Sequence, residues 1–179
     1  EDLDYKGKKV IVIGSGATAA TVVPAIAADC EHVTLLQRSP TYFIPGRNEN
    51  ELADRLRQLQ IDESWIHEIT RKEILHNQDE FTRRSFEEPE EVRKELLDAV
   101  RLFLPEETVQ KHFTPRYRPW RQRIAFVPDG DIFQGIASGK ASVVTDEIER
   151  FTENGLLLKS GQELEADIII TATGFNLSV

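Results

Sequence analysis

Two hydrophobic patterns alternate along this chain. Residues 9–13, Lys9-Val10-Ile11-Val12-Ile13, are unbrokenly apolar after Lys9, the mark of a parallel strand buried on both faces. His32 to Gln37 predicts a second strand, ended by the break at Ser39-Pro40. Residues 17–29 between them predict a helix with Ala20, Val23, Ala27 and Cys30 on its inner face. Pro24 conflicts with that helix, because it removes the hydrogen bond to the Ala20 carbonyl and predicts a kink. From Asn48 to His112 the period becomes helical. Leu52, Leu56 and Leu59 share one face, and Val92, Leu96, Val100 and Leu104 share another, with Pro89 suited to a first turn. Residues 62–77 predict a highly charged helix between them.

The remainder returns to strands. Phe113 to Val127 predicts a loop rich in Pro and Arg. Asp129 to Ser138 predicts a short helix stopped at Gly139. Strands follow at 141–145, 148–152 and 156–159, with Asn154-Gly155 as a hairpin signal between the last two. Asp167-Ile168-Ile169-Ile170-Thr171 is a further buried strand. The alternation predicts an α/β fold in which helices flank a parallel sheet, with a C-terminal β-hairpin. Residues 1–47 and 113–179 form its core, and 48–112 form a helical insertion too polar to be a second sheet.

The turn after the first strand carries the candidate chemistry. Gly14-Ser15-Gly16-Ala17-Thr18-Ala19 follows a strand and opens a helix, the layout of a dinucleotide-binding βα unit. The first glycine allows the tight turn, and the second lets the backbone approach a pyrophosphate. Ala19 is small enough for helix and strand to pack. The pyrophosphate would rest on the free N–H groups and positive dipole end of the helix beginning near Ala17. The predicted fold is therefore Rossmann-like and NAD(P)-binding.

The end of the second strand then selects the cofactor. An NAD site wants an acid there for the ribose 2′-hydroxyl. This chain has Gln37-Arg38-Ser39 and no acid. An arginine meets a 2′-phosphate with charge-assisted bonds, so the residue choice favours NADP over NAD.

Composition narrows the classes. The chain has 179 residues, with 31 acidic against 22 basic ones and a net charge of −9. That balance disfavours a nucleic-acid partner, despite the basic, aromatic segment Tyr117-Arg118-Pro119-Trp120-Arg121-Gln122-Arg123. No apolar run approaches the roughly 20 residues of a transmembrane span, and no secretory signal is visible. Cys30 is the single cysteine, so no internal disulfide can form, and a cytoplasmic location is expected. His32, His67, His76 and His112 have no metal-ligand spacing, and no serine sits in a nucleophile elbow. The absence of methionine and the start at Glu1 predict a piece of a longer protein.

Three elements converge: the glycine turn, Gln37-Arg38-Ser39-Pro40, and Asp167 to Thr171 followed by Ala172-Thr173-Gly174-Phe175. Together they resemble the NADPH-binding domain of a class B flavoprotein monooxygenase, the Baeyer–Villiger type. Pro119-Trp120-Arg121-Gln122-Arg123 with Val127-Pro128-Asp129 is similar to the ethionamide-activating branch of that family.

The resemblance implies NADP(H) on this chain and FAD on a separate domain of the full-length protein. It implies O2 and a small ketone or sulfur compound as co-substrates, and no activity from the 179 residues alone. It implies that Arg123 matches the arginine that reaches the flavin–nicotinamide site and stabilises a peroxide anion there. Gln122 stands where the family often has a lysine on the 2′-phosphate, which leaves more of that task to Arg38. Ala172, Thr173 and Gly174 match the crossing back toward the FAD domain. Another two-dinucleotide flavoprotein, oxygenating nitrogen or sulfur, and a non-catalytic nucleotide-binding module remain open. A disulfide reductase would need a CxxC pair and drops out.

Overall fold

The computed structural model describes residues 3–174. Its centre is a four-stranded parallel sheet in the order β5-β2-β1-β9. These are β1 (Lys9–Ile13), β2 (His32–Gln37), β5 (Ala141–Thr145) and β9 (Ile168–Thr171). Val12 stands level with Leu35 on one side and Ile170 on the other. Strand alternation then sends Val10, Val12, Val33, Leu35 and Ala141 to one face and Ile11 and Leu36 to the other.

The first face packs on α1 (Ala17–Ala27) and α6 (Asp131–Ala137). Ala19, Ala20, Val23 and Ala27 are buried, and their small size lets the helix lie close to the sheet. The helix runs through Pro24 to Ala27, so burial of this face outweighs the hydrogen bond lost at the Ala20 carbonyl. The second face packs on Leu156 and Leu158 of an antiparallel sheet, β6-β7-β8. The predicted hairpin forms between β6 (Ile148–Thr152) and β7 (Gly155–Leu158). A third strand, β8 (Glu163–Glu165), extends it; three residues with a glutamate at each end carry no strand signal. β9 is half-buried rather than buried, because it forms the edge of the parallel sheet.

The insertion holds α2 (Glu51–Gln58), α3 (Glu63–Glu87), α4 (Pro89–Arg101) and α5 (Glu106–His112). Asn50 caps α2 by accepting from the Ala53 N–H, and Asp62 caps α3 by accepting from that of Ser64. α3 passes Asn77 and continues to Glu87. No breaker precedes Pro89, and the i,i+4 pair Arg83–Glu87 supports the extra turns. Val92, Leu96, Val100 and Leu104 are buried as their spacing requires. Leu59 instead lies beyond the end of α2 and is 66% exposed, and Ala53 takes the inner position.

The predicted loop from Phe113 to Val127 ends in a strand. β3 (Phe43–Gly46) and β4 (Ala125–Pro128) pair in parallel and bring the two ends of the insertion together. Four-residue strands that contain Pro45 and Pro128 read as non-strand locally.

Candidate functional site

The order in which strands are added reverses at β1. α1 leads from it to β2 on one side, while β9 joins it on the other. In open parallel sheets such a switch point opens a crevice at the carboxyl ends of the strands, where ligands bind. Here that crevice is a cavity of about 790 Å³, within the range of small-molecule sites.

The glycine turn forms its floor. Gly14 has a φ of +124°, and its N–H donates to the Leu36 carbonyl at 2.8 Å. A Cβ at Gly14 would lie 2.4 Å from the Ala172 carbonyl oxygen, so β1 and β9 meet closely at this point. The Ala172 N–H donates in turn to the Ile13 carbonyl at 2.8 Å. Ser15 and Thr41 share a hydroxyl–hydroxyl bond of 2.9 Å that ties the turn to the segment after Pro40.

Gly16 differs from Gly14. Its backbone is extended, it precedes the first turn of α1, and nothing lies within 4 Å of a Cβ placed there. No side chain caps α1, and its first turn holds no acid. Its N–H groups and dipole end therefore face open space, a cradle that fits a pyrophosphate.

Gly14, Ser15, Gly16, Ala17, Thr18, Arg38, Ser39, Gln122, Arg123, Ala172, Thr173 and Gly174 all line this cavity. Ala19 does not; it is fully buried against the sheet. Gln37 does not either. It follows the parity of Val33 and Leu35 and points into the core. Its amide donates to the His112 carbonyl at 2.6 Å and to Thr145 Oγ1 at 2.9 Å. Gln37 Oε1 is buried without a partner. Phe175 lies outside the described residues.

His112 completes that cluster, its Nδ1 sharing a 2.7 Å bond with Thr145 Oγ1. Burial, with the neighbouring Lys111 charge, lowers its pKa and favours the neutral ring. A lowered folded pKa means stability that is complete above the unfolded value, about 6.5, and is lost as pH falls through the folded one. The melting temperature should therefore fall on acidification below about pH 6.5 more steeply in the native protein than in His112→Gln. Parallel melting curves of the two proteins across that window check this.

The loop before β4 presents Gln122 and Arg123. Its aromatics are engaged in packing. Tyr42 donates to the Tyr117 carbonyl at 2.8 Å, and the two rings meet edge-on at 5.5 Å. Trp120 faces Phe81 at 6.4 Å, and the Arg118 guanidinium lies 4.0 Å over the Phe86 ring. These contacts pin the loop to α3 and leave Arg121, Gln122 and Arg123 exposed. The basic–aromatic segment is thus a tethered loop, with its last two residues on the cavity.

Thr41, Asp146, Glu147 and Ile148 also line the cavity, and local sequence did not indicate them. Gln37 pairs with Thr145 across β2 and β5, so the residues after both strands reach the same rim. Among the described residues, no group of three or more His, Cys, Asp or Glu could hold a metal ion, and no helix is long and apolar enough to cross a membrane.

No family model matches the chain. Over its whole length it is 47% identical to a probable FAD-binding monooxygenase, AlmA, of Acinetobacter baylyi, covering 36% of that protein. It is 46% and 47% identical to the FAD-containing monooxygenases MymA and EthA of Mycobacterium tuberculosis, covering 37% of each. The chain is homologous to part of these FAD-containing monooxygenases. It spans little more than a third of the length of those relatives. Solved Baeyer–Villiger enzymes share its fold. A steroid monooxygenase bound to NADP superposes with a TM-score of 0.68 at 20% identity, over 97% of this chain and 40% of the other. OTEMO in complex with FAD and NADP gives 0.69 at 18% identity, over 98% and 40%.

Proposed function

We propose that this chain is the NADP(H)-binding domain of an FAD-dependent Baeyer–Villiger monooxygenase that oxygenates a small ketone or sulfur compound. Residues 1–47 and 113–179 form the Rossmann-like core, and 48–112 are an insertion within the same domain. FAD belongs to a domain of the full-length protein outside this chain, and the protein works in the cytoplasm. The observation that carries the reading is the open N-terminus of α1 at Gly16, on one cavity with Arg38 and Arg123. The named relatives and the NADP-bound neighbours support it.

When bound, NADPH would supply the hydride and FAD the oxygen chemistry. The chain itself binds and orients. The first-turn N–H groups of α1 take the pyrophosphate. The Arg38 guanidinium and the Ser39 hydroxyl take the 2′-phosphate. Arg123 places a permanent positive charge where negative charge develops at the reacting centre.

The test is cofactor choice. Arg38→Ala removes a charge-assisted contact worth about 1.5–3 kcal/mol, so NADP+ should bind roughly ten- to a hundred-fold more weakly. NAD+ affinity should barely change. Calorimetric titration of both cofactors measures the ratio, and equal losses would make Arg38 a structural residue.

A further inference from the structure

The rim beside Arg38 carries a carboxylate that a 2′-phosphate site does not call for. β2 and β5 run in parallel, with Gln37 level with Thr145, so Arg38 and Asp146 leave the sheet side by side. The Asp146 carboxylate is used locally. It accepts from the Glu147 N–H at 2.7 Å and from the Ser160 N–H at 3.3 Å, closing the link between β5 and β6.

Glu147 is different. It lines the same cavity as Arg38, and its side chain is 52% exposed. Lys159, just after β7, pairs with its carboxylate through Nζ, and the Lys159 N–H donates to the Glu147 carbonyl at 2.8 Å. Two bonds from one lysine hold the glutamate at the rim. Among the described residues Arg38 forms no ion pair, so its charge stays available. The Arg38 charge already helps keep Glu147 ionised, after the larger effect of Lys159.

We propose that the Glu147–Lys159 pair sets the preference between NADP and NAD. Glu147 opposes a phosphate placed on Arg38, and Lys159 offsets that opposition. The neutral Gln122 on the same cavity adds no cation, so the pair's balance weighs more here. A 2′-hydroxyl has no charge to repel, so NAD responds less to the pair than NADP does. The inference rests on reading this cavity as the dinucleotide site.

NADP+ and NAD+ are titrated calorimetrically into the protein at low and high salt, with melting curves alongside. Glu147→Gln should tighten NADP+ by about five-fold, from loss of one like charge on the same partly solvated rim. Lys159→Gln should weaken NADP+ by a similar factor. NAD+ should stay within about two-fold in both, the cofactor effects should shrink at high salt, and Glu147→Asp should keep the native ratio.

Unchanged NADP+ affinity in Glu147→Gln, a shift of the same sign in both variants, or equal shifts for both cofactors overturns the proposal. If the native protein binds NADP+ in an Arg38-dependent way and Glu147→Gln changes nothing, only this inference falls. If the native protein binds neither dinucleotide, the cavity reading falls and takes the inference with it.

Discussion

Gly16→Val should yield a folded protein that no longer binds NADP(H). The backbone at Gly16 is extended, a conformation valine adopts without strain, and a Cβ there meets nothing within 4 Å. The cost to the fold is confined to the cap of α1, on the order of 1 kcal/mol. The space that valine fills is the space a pyrophosphate needs against the first-turn N–H groups. Affinity should fall by at least about a hundred-fold, the loss of several charge-assisted bonds at once. Calorimetric titration beside a circular-dichroism melt separates binding from folding. Retained affinity in a folded variant removes the main support for the dinucleotide reading.

Gly14→Ala serves as its counterpart. There the added methyl meets the Ala172 carbonyl at 2.4 Å, and φ is +124°. Overpacking and an unfavourable dihedral together should cost roughly 2–4 kcal/mol, so this variant loses stability first. Two glycines two residues apart thus separate a fold requirement from a ligand requirement.

Arg123→Ala should leave cofactor affinity within a few-fold in the full-length protein and cut oxygenated product by about a hundred-fold, as loss of one oxyanion donor does. Arg123 is exposed on the cavity, in a loop that Tyr117, Arg118 and Trp120 already anchor to the rest of the fold. Its removal should therefore change stability by no more than about 0.5 kcal/mol, as at an ordinary surface position. NADPH oxidation should continue, with hydrogen peroxide appearing in place of product. Product formed per NADPH consumed, measured beside the melting temperature, decides the matter. Normal coupling in the variant rules out the catalytic role, and a large loss of stability with normal coupling makes Arg123 a loop anchor.

Local sequence determined those parts of this protein whose signal is local. β1 shows as a near-continuous apolar run because a strand covered on both faces favours apolar residues at every position, and β2 shows through its apolar Val33, Leu35 and Leu36. The turn Gly14 to Gly16 shows because only glycine accepts a φ of +124° pressed against a neighbouring carbonyl. The face of Val92, Leu96, Val100 and Leu104 shows because helical spacing writes burial directly into the sequence. Tertiary pairing decided the rest. β3 and β4 are short, carry prolines and find each other across the whole insertion, so neither is stable or recognisable alone. Gln37 and Arg38 are adjacent, yet the pleat turns Gln37 inward to His112 and Thr145, while Arg38 lies past the strand on the open rim. That parity was visible in Val33 and Leu35, but what waited on the inner side was not. Asp146 and Glu147 reach the cavity only because β5 pairs with β2, more than a hundred residues earlier. Such a contact depends on sheet order, which is set by the burial of whole faces and leaves no mark on the residues beside it.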